Sequence, residues 1–290
     1  MPELPEVEVT IRELRKKILK RVFIDLWTDT KKLIKRPKNF DVFKKEILKK
    51  KITKIERRGK NILFFLDNDK VLLIHQKLTG HLLLGKWKRQ DNSWIPLKKG
   101  HLEDPANRFI HLIFFLDNGL MLALSDLRKF AKVELWDKRQ LMQSKEISKL
   151  GIDPLSAEFT LKEFKRRITG AKRKIKQVLM DQSVIAGIGN IYSDEALFAA
   201  AIHPERRANT LSEKEIKKLY WSIKKILKKA IEVGGESISD YRKPDGSKGG
   251  FDALRKVYRR EGKPCFVCKT PIKRIKIAQR SSYFCPKCQK

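Results

Sequence analysis

The segment Phe109–Leu124, FIHLIFFLDNGLMLAL, places two apolar runs on either side of Asp117-Asn118-Gly119. Short apolar runs around a tight turn are typical of paired β-strands, and glycine readily adopts the positive φ that such a turn requires. The segment therefore predicts a β-hairpin with strands at Phe109–Leu116 and Leu120–Leu124.

Other segments in the first half of the chain have the same character. Asn61–Leu66 and Val71–His75 flank the polar turn Asp67–Lys70 and predict a second hairpin. The polar, Gly/Pro-containing stretch Lys86–Asn107 is predicted to be a long loop. Further strands are predicted at Arg21–Trp27 and Ala131–Trp136. Several short strands joined by tight turns favour a β-sandwich or a barrel.

Helical periodicity marks the start of the chain and its second half. Apolar residues recur at three- and four-residue steps over Glu3–Lys20, which predicts a helix with Pro5 in its first turn. Later helices are predicted at residues 160–168, 173–182, 190–200 and 212–232. Ser212–Glu215 forms a capping-box pattern for the last of these helices. The polar, glycine-bearing stretch Ser237–Gly250 is predicted to be a mobile loop.

All four cysteines lie near the C-terminus, in two Cys-x2-Cys pairs separated by sixteen residues. Two such knuckles supply a tetrahedral all-sulfur shell for one Zn²⁺, and a closed shell of four thiolates leaves no open position for chemistry. The spacing therefore predicts a structural zinc site. Two redox Cys-x2-Cys pairs are the alternative. The predicted ligands are Cys265, Cys268, Cys285 and Cys288.

Lysine and arginine outnumber the acids two to one, 67 against 34, and give the 290-residue chain a formal net charge of +33. The imbalance is sharpest from Arg255 to Lys290, where twelve basic residues accompany one acid, Glu261. Such an excess of positive charge favours a polyanionic partner, above all nucleic acid. A lysine-rich composition that serves only solubility would give the same excess of basic residues. With 41% hydrophobic residues, the chain is too apolar to be a disordered basic tail.

The sequence also excludes several classes of protein. No apolar run approaches the ~18 residues of a membrane span. The first residues lack the basic start and apolar core of a secretion signal. Cysteines confined to one end of the chain do not form the pattern of a disulfide scaffold. We therefore expect a cytoplasmic chain that has no membrane partner.

The first residues carry groups that suit covalent chemistry at a sugar. Removal of the initiator methionine would leave Pro2 with a free secondary amine, and an α-amine with the ordinary pKa of ~7.7–8.0 is partly neutral and nucleophilic near pH 7. Attack on a sugar C1′ would give an iminium ion that drives elimination. Glu3 and Glu6 lie one turn apart, where a carboxyl group can transfer protons. Proline and acids are also ordinary residues at a helix start.

Six motifs follow one another along nearly the whole chain: Met1–Glu8, Arg57–Lys60, Ser125–Phe130, Leu179–Gln182, Gly187–Tyr192, and Gln279-Arg280 before Cys285. In this order they resemble the formamidopyrimidine-DNA glycosylase family, the bacterial base-excision enzymes for oxidised purines. Leu4, together with a complete zinc finger, favours this branch over its endonuclease VIII relatives, which prefer oxidised pyrimidines.

The resemblance implies an α+β fold with four parts. An N-terminal β-sandwich with a catalytic N-terminal helix would span 1–138, and a helix-two-turn-helix domain 152–235. A lesion-capping loop and connector would span 236–261, and a four-cysteine zinc finger 262–290. One structural Zn²⁺ is the implied cofactor.

The implied activity is DNA base-excision repair by a monomer. The enzyme would act on double-stranded DNA that contains oxidised purines (8-oxoguanine, formamidopyrimidines) or abasic sites. It would excise the base and then cleave the abasic strand by β,δ-elimination. A protein that keeps the DNA clamp but has lost the chemistry is the alternative, and the presence of Pro2, Glu3 and Lys60 argues against it.

Matched by position, the family motifs imply five catalytic residues. Pro2 is the nucleophile at C1′, Glu3 the proton donor and acceptor, and Glu6 its support. Lys60 contacts the phosphate beside the lesion and aids β-elimination. Arg280 holds a phosphate and assists δ-elimination.

The resemblance also implies residues that hold the DNA. Arg128 faces the orphaned cytosine and Phe130 wedges into the base stack, whereas Asn190 holds a phosphate at a helix N-terminus. The full set is Arg128, Phe130, Leu78, Asn190, Lys172 and His111.

Three positions depart from the family pattern. Leu78 stands where the family has an intercalating methionine, and Ala131 replaces a glycine. Phe109 occupies the position of a DNA-contacting histidine, with His111 nearby. Leucine is branched and adapts its shape less readily than methionine, which puts the third wedge residue in question.

Overall fold

The computed structural model of the protein describes residues 1–237 and 240–290. These residues form two compact units, the first of residues 1–148 and 233–252, the second of residues 149–232 and 253–290. We call residues 233–252 the return segment, because the chain comes back through them to the first unit. The fourfold division expected from the sequence remains a prediction.

The first unit is built from two sheets, one of four strands in the order β1-β9-β10-β6 and one of five strands in the order β2-β11-β5-β4-β3. A separate two-stranded hairpin, β7–β8, follows β6 along the chain. The elements are α1 (Leu4–Ile18), β1 (Phe23–Thr28), β2 (Ile34–Arg36), α2 (Phe40–Ile47), β3 (Ile52–Arg58), β4 (Asn61–Leu66), β5 (Lys70–His75), β6 (His81–Gly85), β7 (Trp87–Gln90), β8 (Ser93–Pro96), β9 (Ile110–Leu116), β10 (Met121–Ser125), β11 (Lys132–Asp137), α3 (Lys138–Gln143) and α4 (Lys145–Ser148).

A single hydrophobic core fills the space between the two larger sheets and includes the apolar face of α1. Val7, Ile11 and Leu14 of α1 are fully buried, at the three- and four-residue steps that place side chains on one face of a helix. From the sheets, Phe23 and Phe114 bring their rings to 5.3 Å. Complete burial of such side chains contributes ~1.5–3 kcal/mol each, so this core fixes α1 and the residues at its start.

The elements predicted from hydrophobic pattern are confirmed. The hairpin of Phe109–Leu124 is β9–β10, an antiparallel pair that turns through Asp117-Asn118-Gly119. The other predicted elements of this unit match α1, β1, β4, β5 and β11 within two residues at each end. The α+β class with a β-sandwich is therefore confirmed.

The prediction that Lys86–Asn107 is a loop was wrong. This stretch contains the β7–β8 hairpin and two 3-10 turns, His101–Glu103 and Pro105–Arg108. The hairpin strands are four residues long and mostly exposed, so their composition is polar although Trp87 is buried. The prediction also omitted the short or mixed elements β2, β3, β6, α2, α3 and α4.

The second unit consists of helices and one small hairpin. Its elements are α5 (Leu161–Thr169), α6 (Ile175–Met180), α7 (Asn190–Ala200), α8 (Glu213–Glu232), β12 (Lys273–Ile277) and β13 (Arg280–Phe284). All four predicted helices are confirmed. The capping box is confirmed as well, because Ser212 N donates to Glu215 Oε2 (2.8 Å) and Glu215 N donates to Ser212 Oγ (3.3 Å).

The return segment is tied down where the sequence predicted a mobile loop over Ser237–Gly250. Gly250 N donates to Val233 O (2.8 Å) and Phe251 N donates to Gly235 O (3.0 Å), so the two ends of the segment pair with each other. Its side chains Tyr241 and Arg242 are about 5% and 6% exposed. The mobility that the glycine-rich composition suggested remains a prediction. Part of the predicted loop, residues 238–239, lies outside the described residues.

Across the described residues, no helix combines the length and the hydrophobicity needed to cross a bilayer.

Candidate functional site

The start of α1 buries two carboxylates beside Pro2, which is itself buried. Glu3 and Glu6 are 2% and 1% exposed. Glu3 N donates to Glu6 Oε2 (2.7 Å), and Glu236 N donates to Glu6 Oε1 (2.9 Å). Pro5, in the first turn, has no N–H to leave unsatisfied. Glu6 therefore joins the helix start to the return segment.

The terminal amine lies among these carboxylates and Lys60. Burial lowers the pKa of the Met1 α-amine, and the positive charge of Lys60 lowers it further, whereas Glu3, Glu6 and Asp240 oppose the shift. Charge–charge effects decline with distance, so the structure brings these groups together around the N-terminus. Lys60 is 7% exposed, so the positive charge that lowers the pKa of this amine is itself largely buried.

Lys60 is positioned by the turn between β3 and β4. Gly59 has a φ of 59°, a left-handed conformation that favours glycine. Arg57 Nε donates to Glu8 Oε2 (2.9 Å) and Arg57 Nη1 donates to Gly59 O (3.2 Å). These two bonds fix the turn to α1 and hold Lys60 near the helix start.

A second turn, residues 126–131, presents an arginine and an aromatic ring to solvent. Asp126 is fully buried, and its carboxylate accepts from Thr79 Oγ1, from Arg128 N (3.3 Å) and from Ala131 N (2.7 Å). Phe130 is 50% exposed, and the guanidinium of Arg128 lies 4.6 Å from the centre of its ring. A buried carboxylate thus fixes a turn whose exposed side chains can reach a ligand.

The remaining predicted DNA contacts occupy different environments. Leu78 is half-buried in the turn between β5 and β6, beside Thr79, which joins that turn to Asp126. His111 Nδ1 lies 3.0 Å from both carboxylate oxygens of Asp29, so this histidine is engaged within the sandwich. Lys172, in the second unit, is exposed between α5 and α6. Contact of His111 or Lys172 with DNA remains a prediction.

Asn190 is the first residue of α7, directly after Gly189 at the N-cap. Its Nδ2 donates to Ser281 O (2.9 Å), and its backbone oxygen accepts from Lys176 Nζ (3.1 Å). The buried Asn190 Oδ1 has no hydrogen-bond partner among residues 1–237 and 240–290. The residue therefore lies at a helix N-terminus, where N–H groups favour an anion, next to the hairpin that carries Arg280.

A buried ion pair supports this arrangement. Lys176 Nζ lies 2.5 Å from Asp194 Oδ1, and both side chains are fully buried. The other carboxylate oxygen of Asp194 accepts from Tyr283 N (3.1 Å) in β13. Burial raises the pKa of Asp194 to about 7, against the lowering effect of Lys176. The pair links α6, α7 and the β12–β13 hairpin.

The four cysteines form one metal site. Their Sγ atoms all lie within 4.8 Å of one another, with 3.9 Å between Cys265 and Cys288 and 3.4 Å between Cys268 and Cys285. Four sulfurs at ~2.3 Å from a tetrahedral Zn²⁺ are about 3.8 Å apart, so the arrangement fits this ion. Four thiolates complete the shell, and the site is one structural zinc site.

The zinc site holds the β12–β13 hairpin, in which Arg280 is exposed opposite Ile277. The two-residue turn between them, Ala278-Gln279, has positive φ at both positions. The buried carboxylate of Glu195 in α7 accepts from three successive N–H groups at Lys256–Tyr258, which precede the first knuckle. The zinc finger is thus held together by the metal site, and the segment that leads into it is held by a helix carboxylate.

Sequence reasoning missed the residues that position the site. Asp126 lies inside the motif Ser125–Phe130, but no local pattern pairs it with Thr79, 47 residues earlier. Lys176 and Asp194 are eighteen residues apart and read as solvent-exposed charges. A charged residue at a helix position that faces the core, such as Lys176 beside Ile175 and Leu179, was the available signal.

Comparison with known families finds matches to three parts of this chain. The formamidopyrimidine-DNA glycosylase N-terminal domain matches residues 1–133, and the formamidopyrimidine-DNA glycosylase H2TH domain matches residues 150–242. The zinc finger found in FPG and IleRS matches residues 262–290.

Curated relatives and solved structures match over the full length. The chain is 38% identical to the formamidopyrimidine-DNA glycosylase of Herpetosiphon aurantiacus, with both chains covered completely, and 39% identical to that of Pelotomaculum thermopropionicum, with 100% and 99% covered. A Lactococcus lactis FPG variant in complex with Fapy-dG-containing DNA matches with a TM-score of 0.86 at 35% identity over 100% of both chains. The L. lactis Fpg bound to DNA with an abasic site matches with a TM-score of 0.85 at 35% identity over 99% of both chains. The chain belongs to the formamidopyrimidine-DNA glycosylase family.

Proposed function

We propose that this chain is a base-excision repair enzyme that removes oxidised purines from double-stranded DNA and then cleaves the abasic strand. The observation that carries the proposal is the grouping of the terminal amine, Glu3, Glu6 and Lys60 in one partly desolvated site. The names of the relatives and the Fapy-dG and abasic-site DNA in the solved complexes support the substrate class. Action on bacterial DNA in the cytoplasm follows from the same proposal.

Pro2 begins the reaction once the initiator methionine has been removed. Its nitrogen lone pair attacks C1′ of the extruded nucleotide, the bond from C1′ to the base breaks, and the base leaves with a proton. Glu3 supplies and later accepts protons at the sugar, while Glu6 fixes the backbone of Glu3 through its 2.7 Å bond. Burial lowers the pKa of the α-amine that Met1 carries, and the same burial at Pro2 would favour a neutral, nucleophilic amine once Met1 has been removed.

Loss of the proline N–H proton and cleavage of the C1′–O4′ bond, with a proton taken up by O4′, open the sugar ring and give an iminium ion at C1′, from which strand cleavage follows. Loss of a proton from C2′ expels the 3′ phosphate (β-elimination), and a second proton loss expels the 5′ phosphate (δ-elimination). Lys60 stabilises the phosphate beside the lesion, and Arg280 holds a phosphate and assists the second step. Water then hydrolyses the link to Pro2 and regenerates the amine.

The duplex must release the damaged nucleotide before this chemistry, at a cost of a few kcal/mol. Phe130 wedges the stack, with Leu78 behind it, and Arg128 faces the orphaned cytosine. Asn190 and Lys172 contact phosphates, the former at the N-terminus of α7. The return segment closes over the extruded base.

Reduction with borohydride in the presence of 8-oxoguanine duplex tests the proposal. The iminium intermediate becomes a stable amine, so the protein is attached covalently to DNA, and peptide mapping should locate the attachment at Pro2 with Met1 absent. Pro2→Gly should lose most of the adduct, whereas Pro5→Gly, the same change three residues later, should retain it. Attachment at another residue, or undiminished trapping in Pro2→Gly, would refute the assignment of the nucleophile.

The alternative is a protein that binds damaged DNA without chemistry. Such a protein would retain affinity for the duplex but give no adduct and release no base. Base release by wild-type protein excludes it, and strand scission with phosphates at both ends of the gap establishes β,δ-elimination.

A further inference from the structure

The stretch Lys86–Asn107, predicted to be a long loop, is folded and contacts the return segment. We call residues 86–107 the platform. Asn107 is 1% exposed, and its Nδ2 donates both to Gly246 O in the return segment (3.1 Å) and to His101 O in the platform (2.8 Å). Its Oδ1 lies 3.0 Å from Nε2 of His81, the first residue of β6. One buried amide thus joins three parts of the chain and uses all its hydrogen-bonding groups.

Two further contacts hold the same part of the return segment. Arg242 Nη2 lies 3.0 Å from Asp104 Oδ1, and the two side chains are 7% and 20% exposed. The pair is therefore less accessible to water and salt than an ordinary surface ion pair, so its attraction is screened less. Leu84 N, on the edge strand β6, donates to Pro244 O (2.7 Å). The segment therefore docks along a sheet edge whose N–H would otherwise lack a strand partner.

The fit at Gly246 is close. This residue has a φ of 85°, and a Cβ built there would lie 2.7 Å from the carbonyl of His101. A backbone approach of this kind requires glycine and would not occur in a segment that merely lies over the surface.

The same segment also contacts the catalytic helix. Glu236 N donates to Glu6 Oε1 (2.9 Å), and Tyr241 Oη donates to Glu6 O (3.1 Å). The segment is consequently held by Glu6, beside Pro2 and Glu3, through Glu236 and Tyr241, and by the platform through Arg242 and Gly246.

We propose that the platform is a positioning element that fixes the return segment in the conformation needed to receive an extruded base. Asn107 and Asp104 are its positioning residues, and neither takes part in the chemistry. The proposal rests on the proposed function for its effect on excision. Because an abasic nucleotide has no base to cover, loss of the platform contacts should slow base excision and leave abasic-strand cleavage unchanged.

Docking of the segment is tested first, by a measurement that does not depend on activity. Asn107→Asp retains the acceptor towards His81 but replaces the donor to Gly246 O and His101 O by an oxygen. Asp104→Asn removes the charge opposite Arg242 and can still accept from Ala106 N. Hydrogen–deuterium exchange in residues 240–250 should become about fivefold faster in each variant, as expected for the loss of one hydrogen bond. Asn118→Asp is the matched control, because its Oδ1 accepts from Leu120 N in an exposed turn and the change keeps that acceptor.

Activity is then measured on two substrates under single turnover. We expect base excision from 8-oxoguanine duplex to fall about tenfold in both variants, with borohydride trapping on abasic DNA within about twofold of wild type. Unchanged exchange in both variants, or faster exchange with unchanged excision, would overturn the proposal. An equal loss on both substrates in Asp104→Asn would also overturn it, because the platform would then support the whole fold. If wild-type protein processes neither substrate, the proposed function fails, while the exchange data still decide whether the platform docks the segment.

Discussion

The start of α1 and the β12–β13 hairpin place charged groups in opposite environments. At the start of α1, Glu3 and Glu6 are almost completely buried. In the hairpin, Arg280 is exposed on strands held by four cysteines. Transfer of a proton requires groups whose pKa values are set by burial and by neighbours, whereas binding of phosphates requires cations that remain accessible. Residues in the first region should therefore alter chemical steps, and those in the second should alter affinity.

The largest expected effect is on chemistry, in Glu3→Gln. Glutamine keeps an oxygen for the helix N–H but cannot transfer a proton, so excision from 8-oxoguanine duplex should slow by ~10²–10⁴-fold with little change in Kd. Single-turnover rates and equilibrium binding measure the two quantities. Glu46→Gln, on the exposed face of α2, is the control and should have wild-type rates. A rate within about threefold of wild type would remove Glu3 from the mechanism.

The second-largest expected effect is on the free energy of unfolding, through the buried ion pair of Lys176 and Asp194. Lys176→Met leaves the carboxylate of Asp194 buried without its counter-charge, which should lower the free energy of unfolding by ~3–5 kcal/mol at pH 8 in urea denaturation. The raised pKa of Asp194 means that the folded state binds a proton more readily than the unfolded state. The group's stabilising contribution is thus present at low pH and lost as pH rises through about 7, and the penalty in Lys176→Met should shrink at pH 5.

Lys174→Met is the matched control, because its partner Glu205 and its own side chain are both 41% exposed. An exposed pair contributes ~0–1 kcal/mol, so this variant should unfold almost as wild type does. An equal loss of unfolding free energy in the two variants would mean that burial of the ion pair does not increase its contribution to stability.

Loss of zinc should weaken DNA binding and leave the first unit folded. In Cys268→Ser the zinc ion loses one of its four protein ligands, so the hairpin that carries Arg280 is held less firmly. We expect affinity for duplex DNA to fall ~10–100-fold, the equivalent of one or two charge-assisted hydrogen bonds. Chelation of wild-type protein should have the same effect and be reversed by added Zn²⁺, whereas the variant should not recover. Hydrogen exchange across residues 1–148 should be unchanged. Equal affinity for DNA with and without metal would contradict the claim that the zinc-held hairpin contributes to DNA binding.

Gly235→Ala probes the junction of Glu6 with the return segment. Gly235 has a φ of 82°, and a Cβ there would lie 2.9 Å from Glu6 Oε1. Left-handed backbone alone costs an alanine ~1–2 kcal/mol, so the midpoint of urea unfolding should fall. At Gly170, which has a right-handed conformation and no atom within 4 Å of the added Cβ, alanine should be neutral or stabilise by ~0.4–1 kcal/mol. Similar behaviour of the two variants would show that Gly235 is not conformationally required.

The smallest expected effect concerns His75, at the end of β5. Burial, assisted by Lys77, Lys60 and Lys132, lowers the pKa of His75 to about 3, and its Nδ1 accepts from Lys77 N (2.9 Å). Stability from neutral His75 is present above pH ~6.5 and is lost as pH falls towards 3, by about 1 kcal/mol between pH 6.5 and 5.5. His75→Asn should reduce this part of the pH dependence. Titration of the His75 ring signal in NMR spectra above pH 5.5 would contradict the assignment.

Local signals account for what the sequence could predict. The β9–β10 hairpin, α1 and the zinc ligands are specified by patterns within about 25 residues, in which turn residues, helical periodicity and ligand spacing agree. Two of these features, α1 and the β9–β10 hairpin, contribute part of the sandwich core. Pro2, Glu3 and Lys60 were predicted by resemblance, since Pro5 and the acids alone equally describe an ordinary helix start.

The features that could not be predicted from the sequence depend on contacts between residues that are distant along the chain. The platform looked like a loop because its strands are short and its buried tryptophan stands among lysines and prolines. The glycines of the return segment suggested mobility in the sequence. In the structure, Gly246 instead permits a close approach to His101, 145 residues earlier, and no local pattern indicates that contact. Lys176 and Asp194 gave no pairwise signal, because each is an ordinary charge until the fold brings both into the core.

The turn of residues 126–131 has one more consequence. The guanidinium of Arg128 rests on the ring of Phe130, 4.6 Å from its centre. Side chains that already contact each other lose less rotameric freedom on binding a ligand, a saving of ~0.5–1.5 kcal/mol for each. Under the proposed function, the two groups would enter the duplex as one wedge, so that displacement of a base and contact with its former partner would be a single event.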